Sequence, residues 1–294
     1  MKTKLFVLTT LGITLSACTN DNDEMIDGQV AAVINADISN SVLTRASGTA
    51  WADSDEIGIS ESRFGYNNVP YRWESGKFTP AGTIIFFQDD DPTTFSAYYP
   101  YDADGGTLTA TTDATAQQNQ PAIDFLYATG ATASTHNPEV NFTDDTDAGG
   151  TDCSFHHCMS QITLTFEAGS GVDFTTIKPT GYALSGLVLE GRFDTTTGTA
   201  ETDANAQTAD LTMELNGVLT SSVILFPQST TSIELSVNYN SQPYTATLTI
   251  PDGALKAGNN YTYTVTVRNK DLSVSSATIS DWNPVNGGNV NADL

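Results

Sequence analysis

Apolar and polar residues alternate one by one in five segments of the second half of the chain: QITLTF at 161–166, LVLEGRF at 187–193, SIELSVNY at 232–239, YTATLTI at 244–250 and YTYTVTV at 261–267. Successive side chains of a strand point to opposite faces, so each segment offers one apolar face to a core and one polar face to water. Gly, Asn, Asp and Pro interrupt the runs, and no stretch has the spacing of a long amphipathic helix. The pattern predicts an all-β fold of antiparallel sandwich strands. Residues 29–294 suit two β-sandwich domains better than one. The seam is expected at EAGSGVDF, Glu167 to Phe174, where glycine and serine interrupt the pattern after a strong strand, which divides the chain into 29–170 and 171–294.

The first such segment is longer. In QVAAVINADISNSVLT, residues 29–44, the even positions are Val30, Ala32, Ile34, Ala36, Ile38, Asn40, Val42 and Thr44, while most odd positions are polar or small. That predicts a strand with one buried face. It has no lysine or proline, the residues that commonly blunt a sheet edge, so its removal would open an apolar trough beside unpaired strands. Burying about five of its side chains at ~1.5–3 kcal/mol each gives an upper estimate of roughly 7–15 kcal/mol. Directly after it comes Arg45, the one basic residue between Lys4 and Arg63, in the small-residue gap TRASG. An arginine on an extended, accessible segment is what a trypsin-like protease needs, and cleavage between Arg45 and Ala46 would free the strand.

Residues 1–17 read as a signal peptide: Lys2 and Lys4 precede LFVLTTLGITL, which is too short to span a bilayer. It ends in LSAC, Leu15 to Cys18, which resembles the bacterial lipobox and makes Cys18 the expected lipid anchor. Residues 18–28 then form an acidic tether too polar to pack a core.

Loss of residues 1–17 removes two lysines and no acid, leaving 9 basic against 35 acidic residues and a formal charge of −26. Such a chain lacks the basic footprint that nucleic acid or anionic lipid requires. Nothing calls for a cofactor or an enzymatic activity, since there is no G-x-S-x-G, no H-E-x-x-H and no glycine-rich phosphate loop. CSFHHC, Cys153 to Cys158, is the one metal-like cluster. On a continuous strand, however, Cys153 and Cys158 face opposite ways, as do His156 and His157, so no metal site is expected. TDDTDAGGTD at 143–152 lacks the spacing of an EF-hand loop. FSAYYPY at 95–101 alternates as a half-buried strand rather than a sugar platform. DTT, Asp194-Thr195-Thr196, resembles a short O-glycosylation sequon but also suits a polar hairpin turn.

Seven motifs in one order, WADSDEIGI (51–59), FSAYYPY (95–101), QPAIDFLYAT (120–129), FHHCMSQITLTF (155–166), LFPQS (225–229), LKAGNNYTYTVTV (255–267) and ISDWNPVNGGNV (279–290), resemble the fimbrillin-like family of Bacteroides-type bacteria. The resemblance implies two transthyretin-like, Greek-key β-sandwich domains in a lipoprotein precursor that an arginine-specific protease cuts at the position of Arg45. Its partners would be other pilus subunits, the protease, the outer membrane through the lipid on Cys18, and a host or bacterial surface receptor. A C-terminal strand of another subunit would replace the first strand, by strand addition to a sheet edge. In this chain the donor is expected within 271–294, with Leu272, Val274, Ile279 and Trp282 as its apolar positions. Two other readings stay open: a membrane-retained pilus anchor that keeps its first strand, and a monomeric surface lipoprotein that binds glycan or host protein.

Overall fold

A computed structural model describes residues 29–39, 50–269 and 271–282. The fold is all-β, with short 3-10 turns as its only helical elements among the described residues. The first half contributes β1 (Val30–Ala31), β2 (Val33–Ala36), β3 (Glu56–Glu61), β4 (Val69–Glu74), β5 (Lys77–Pro80), β6 (Phe86–Phe87), β7 (Thr93–Tyr99), β8 (Thr107–Thr111), β9 (Leu126–Ala133), β10 (Glu139–Phe142) and β11 (His156–His157). Six of these form an antiparallel sheet in the order β11-β9-β7-β3-β4-β5. Its inward positions, among them Ile57, Ile59, Tyr71, Phe95 and Ala128, join Ile34, Val140, Phe142 and Phe155 in one core. Gly130 is the extra residue of a bulge, since Phe95 faces Ala131 while Ser96 faces Thr129. Its φ of +92° is open to glycine at little cost.

The second half adds β12 (Ser160–Ala168), β13 (Gly181–Val188), β14 (Glu190–Asp194), β15 (Thr199–Thr202), β16 (Thr208–Glu214), β17 (Thr220–Leu225), β18 (Gln228–Ser229), β19 (Ser232–Tyr239), β20 (Gln242–Thr249), β21 (Ala254–Leu255), β22 (Asn259–Val267), β23 (Leu272–Val274) and β24 (Thr278–Asp281). One sheet runs β17-β12-β22-β23, with β24 also on β22, and a second runs β16-β13-β19-β20. The apolar residues of the two sheets, such as Leu164, Tyr263 and Val265 from one and Leu184, Leu235 and Val237 from the other, share a second core. The single-residue alternation read from these segments is what builds it, because each strand commits every second side chain.

Two sequence expectations change here. Pairing is mixed rather than wholly antiparallel, because β12 runs parallel to β22 and β10 parallel to β2. Alternation defines a strand's faces but not its direction, and the long intervening chain permits the return. The change of core also falls before Ser160, not at Glu167–Phe174: Ile162, Leu164 and Phe166 of β12 already belong to the second core. The glycines after them follow the end of β12.

The halves are joined by more than the chain. β8 pairs with β14, and β14 with β15, so one small sheet draws on both. A third cluster, with Tyr98, Phe125, Phe193, Phe226 and Trp282, fills the junction. In it Phe125 stacks on Phe193 with centroids 4.7 Å apart. Gln117 reaches across from the first half: its Nε2 donates to Ile224 O at 2.7 Å and to Thr112 O at 2.9 Å, and its Oε1 accepts from Ile224 N–H at 3.0 Å. One amide side chain thus pairs both backbone groups of Ile224, as a neighbouring strand would.

Candidate functional site, a groove filled by the first strand

Residues 30–38 adopt the alternation expected of them. Ala32, Ile34 and Ala36 are buried, Ile34 to 2% exposure, whereas Val33 between them is 45% exposed. Asn35, also on the outer face, donates to Asn141 Oδ1 at 2.8 Å. Val30 and Ile38 are half-buried against the same core. Val42, Arg45, Ala46 and Cys18 lie outside the described residues.

The strand is an insert with neighbours on both edges. Ala32 N–H donates to Ile85 O at 2.9 Å beside β6, and Val33 N–H donates to Pro138 O at 2.9 Å beside β10. Adjacent N–H groups of an extended chain point to opposite sides, so β6 and β10 flank it. The register places Val30 opposite Phe87, Ile34 beside Val140 and Ala36 beside Phe142, and Ile38 bridges to Phe155. Beyond β10 the strand is held by Asp37 N–H to Phe142 O at 2.9 Å, Ser39 N–H to Phe155 O at 2.7 Å and Phe155 N–H to Asp37 O at 2.9 Å. Its removal would leave two strand edges unpaired over a trough floored by Phe87, Val140, Phe142 and Phe155.

Burial alone holds it less firmly than its composition implied. Two of the three fully buried side chains are alanines, so Ile34 at ~1.5–3 kcal/mol and the alanines at ~0.8 kcal/mol each sum to roughly 3–5 kcal/mol rather than 7–15. A residue from the far side of Arg45 adds to the hold: Trp51 Nε1–H donates to Ala36 O at 2.8 Å. The indole is fixed edge-on between Phe78, Tyr99 and Phe155, at centroid distances of 5.1, 5.6 and 5.1 Å.

The expected donor residues are engaged in the chain's own sheet. β23 and β24 both pair with β22, Leu272 is buried, and Val274 is partly buried against the second core. Ile279 is 39% exposed, and Trp282 is buried in the junction cluster. The four therefore do not form one apolar face.

His156 and His157 point to opposite sides, the first exposed and the second buried. His156 Nε2 lies 3.1 Å from Asp152. His157 Nδ1–H donates to Asp124 Oδ1 at 2.7 Å, with side chains only 3% and 5% exposed. Its other contact is the Trp282 indole, parallel within 6° at 4.2 Å. No spacing rule would have found this triplet. Among the described residues no group of three or more His, Cys, Asp or Glu is arranged to hold a metal. Cys153 and Cys158 are free and buried, and burial pushes the Cys158 thiol up to about 12.

The acidic loop forms side-chain turns, with Thr146 N–H and Oγ donating to Asp144 Oδ1. These bonds hold Asp144 below the usual carboxylate range. FSAYYPY lies in and after β7, with Phe95, Ala97 and Tyr99 in the first core and Tyr98 turned to the junction. Asp194-Thr195-Thr196 begins the β14–β15 hairpin turn, where Thr196 N–H donates to Asp194 Oδ1 at 2.8 Å. Thr195 is only 7% exposed and its Oγ accepts from Gly106 N–H at 2.9 Å.

Fold and groove together define an all-β protein in which the first half of the chain forms a slot for the strand at residues 30–38. The fimbrillin-like family profile matches residues 44–282, and the chain belongs to the fimbrillin-like family. It is 26% identical over 299 residues to a candidate fimbrium subunit, Fim1C, of Bacteroides uniformis, covering 94% of this chain and 93% of that protein. Two crystal structures of candidate cell adhesion proteins are similar to it. That from Bacteroides ovatus has TM-score 0.68 and 29% identity over 88% of this chain and 98% of the other. That from Bacteroides uniformis has TM-score 0.70 and 26% identity over 87% and 100%.

Proposed function

We propose that the protein is a structural, non-enzymatic subunit of a cell-surface fimbria, with two transthyretin-like domains, that contributes to adhesion. It is exported as a lipoprotein precursor anchored through Cys18, cut between Arg45 and Ala46, and polymerised when a strand of another subunit takes the place of residues 30–38. The observation that carries this reading is the two-sided seating of that strand between β6 and β10. A strand with partners on both edges leaves a slot of fixed register when it goes, and a second chain of matching alternation restores every lost hydrogen bond. The family match begins at residue 44, so the seated strand lies outside it. While covalently attached, the strand competes at an effective concentration on the order of millimolar, which keeps the precursor from assembling early. The incoming strand is drawn from 271–294, and its described part must first leave β22.

Limited treatment of the full-length precursor with an arginine-specific protease tests this. The expected product begins Ala46-Ser47-Gly48 and forms detergent-resistant ladders, and Arg45→Ala blocks both. Ladders from Arg45→Ala, or clean cleavage with no polymer at all, would overturn the switch, the latter favouring an anchor or a monomeric receptor. Cys18→Ser is expected to abolish lipid labelling and membrane retention.

A further inference from the structure

The far end of the seated strand and the C-terminal segment meet at one place. Ser39, His156, Asn259, Asp281 and Trp282 line a single cleft of about 370 Å³. Between the two ends lies the short stretch Phe155–His157. Its backbone at Phe155 is held on one edge by the strand, through Ser39 N–H to Phe155 O and Phe155 N–H to Asp37 O. Two residues on, on the same side of the extended chain, His157 carries the stacked Trp282. The other supports of this stretch come from β9, which pairs Tyr127 and Leu126 with the two histidines, and from Cys158 N–H to Phe125 O at 2.8 Å.

We infer that Asp124, His157 and Trp282 form a latch that keeps the C-terminal segment Thr278–Trp282 on its own subunit while residues 30–39 are seated, and that departure of the strand releases it. The inference rests on the proposed displacement of that strand. The buried Asp124 carboxylate fixes the imidazole plane, and a fixed plane is what lets the indole stack across its full face. Losing the strand strips Phe155 of its two backbone partners and frees the plane to tilt. Trp282 is then held by its backbone bond to Gly258 O, at 2.7 Å, and by the four-residue pairing of β24 with β22. A strand that short is marginal without its anchoring side chain. The consequence is order: the segment that serves as donor comes free in a subunit whose groove is already open, so an unprocessed precursor offers neither slot nor strand.

Amide exchange measured by mass spectrometry on the full-length, uncut chain tests the latch without any protease. Ser39→Pro removes the N–H that reaches Phe155 and leaves the buried face of the strand unaltered. His157→Gln removes the stack and leaves the strand itself untouched. Each is expected to speed exchange at Ile279–Trp282 by up to about tenfold, the effect of losing one hydrogen bond or equivalent contact. Coupling is reciprocal, so His157→Gln should also speed exchange at residues 30–38, by no more than the factor by which Ser39→Pro speeds 279–282. Because the two act in series, the double variant should exchange no faster at 279–282 than the faster single one. Purely additive effects, or wild-type exchange at 279–282 in both variants, would overturn the inference. The same peptide followed in the wild-type chain after cleavage separates the two proposals. Protection that persists at 279–282 in cut subunits that have lost their strand but have not yet polymerised, followed by normal ladders, would overturn the latch and spare the assembly reading. Rapid exchange there with no polymer spares the latch and overturns the assembly reading.

Discussion

Trp51 Nε1–H donates to the carbonyl oxygen of Ala36 at 2.8 Å, across the point where the chain carries Arg45. A residue that stays with the body of the protein after cleavage therefore grips the strand that leaves. The bond sits on the edge facing β6, at the last residue of β2 and two residues beyond Ile34, and it adds to the modest burial of two alanines and one isoleucine. Cleavage alone does not break it.

Trp51→Phe keeps the aromatic packing against Phe78, Tyr99 and Phe155 but removes this donor. The expected cost is ~1 kcal/mol, read as a lower urea midpoint for the precursor and as faster loss of residues 30–38 after cleavage. An unchanged rate of strand loss would mean that the indole only fills space.

Ile34→Asp places a carboxylate beside Val140 on the buried face of β2. Desolvation without a partner is expected to cost several kcal/mol, enough to unseat the strand while the second core stays folded. Exchange should rise at residues 30–38 and at the β6 and β10 edges, with β12 and β22 unchanged. Off-pathway association through the open trough should follow, visible by light scattering.

Gln117→Glu is nearly isosteric, so its effect isolates pairing from packing. The carboxylate still accepts from Ile224 N–H but turns an acceptor toward Ile224 O and Thr112 O, where the amide donated. A loss of ~2–4 kcal/mol is expected at neutral pH from two buried carbonyls left without donors beside a charge. Urea unfolding checks it, and a loss under ~0.5 kcal/mol would show that the clasp does not stabilise the junction.

Burial raises the hydroxyls of Tyr71, Tyr98 and Tyr182 to about 12 each. An acid whose folded value is raised is neutral in both states below the unfolded value near 10, so its contribution is intact there. As the pH climbs from about 10 to 12 the unfolded chain ionises first and the folded state loses stability. For Tyr182 this amounts to up to ~2–3 kcal/mol. Alkaline unfolding is therefore expected above pH 10, and Tyr182→Phe should flatten the fall between pH 10 and 12, although it loses the contact with Ser221 Oγ at 2.9 Å. An unchanged slope in urea midpoints over that range would contradict the assignment.

The sequence by itself determined what depends on neighbours one or two residues apart. Alternation marked the strands, chose Ile34 for the inside and Val33 for the outside, and put His156 and His157 on opposite faces, because the pleat has a period of two whatever surrounds it. Motif order, likewise a property of the chain alone, pointed to the fimbrillin-like family. Only the tertiary structure decided which strands meet. The parallel return of β22 onto β12, the entry of β12 into the second core and the sharing of β8 with β14 depend on where long connections lead, and no local pattern encodes that. The sequence placed Thr195 in a polar turn but did not show the bond its hydroxyl accepts from Gly106 N–H, 89 positions earlier. Asp124 and His157 stand 33 residues apart, and Gln117 and Ile224 stand 107 apart. Such pairs are made by the packing of one element on another, and their chemistry exists only once the chain has folded.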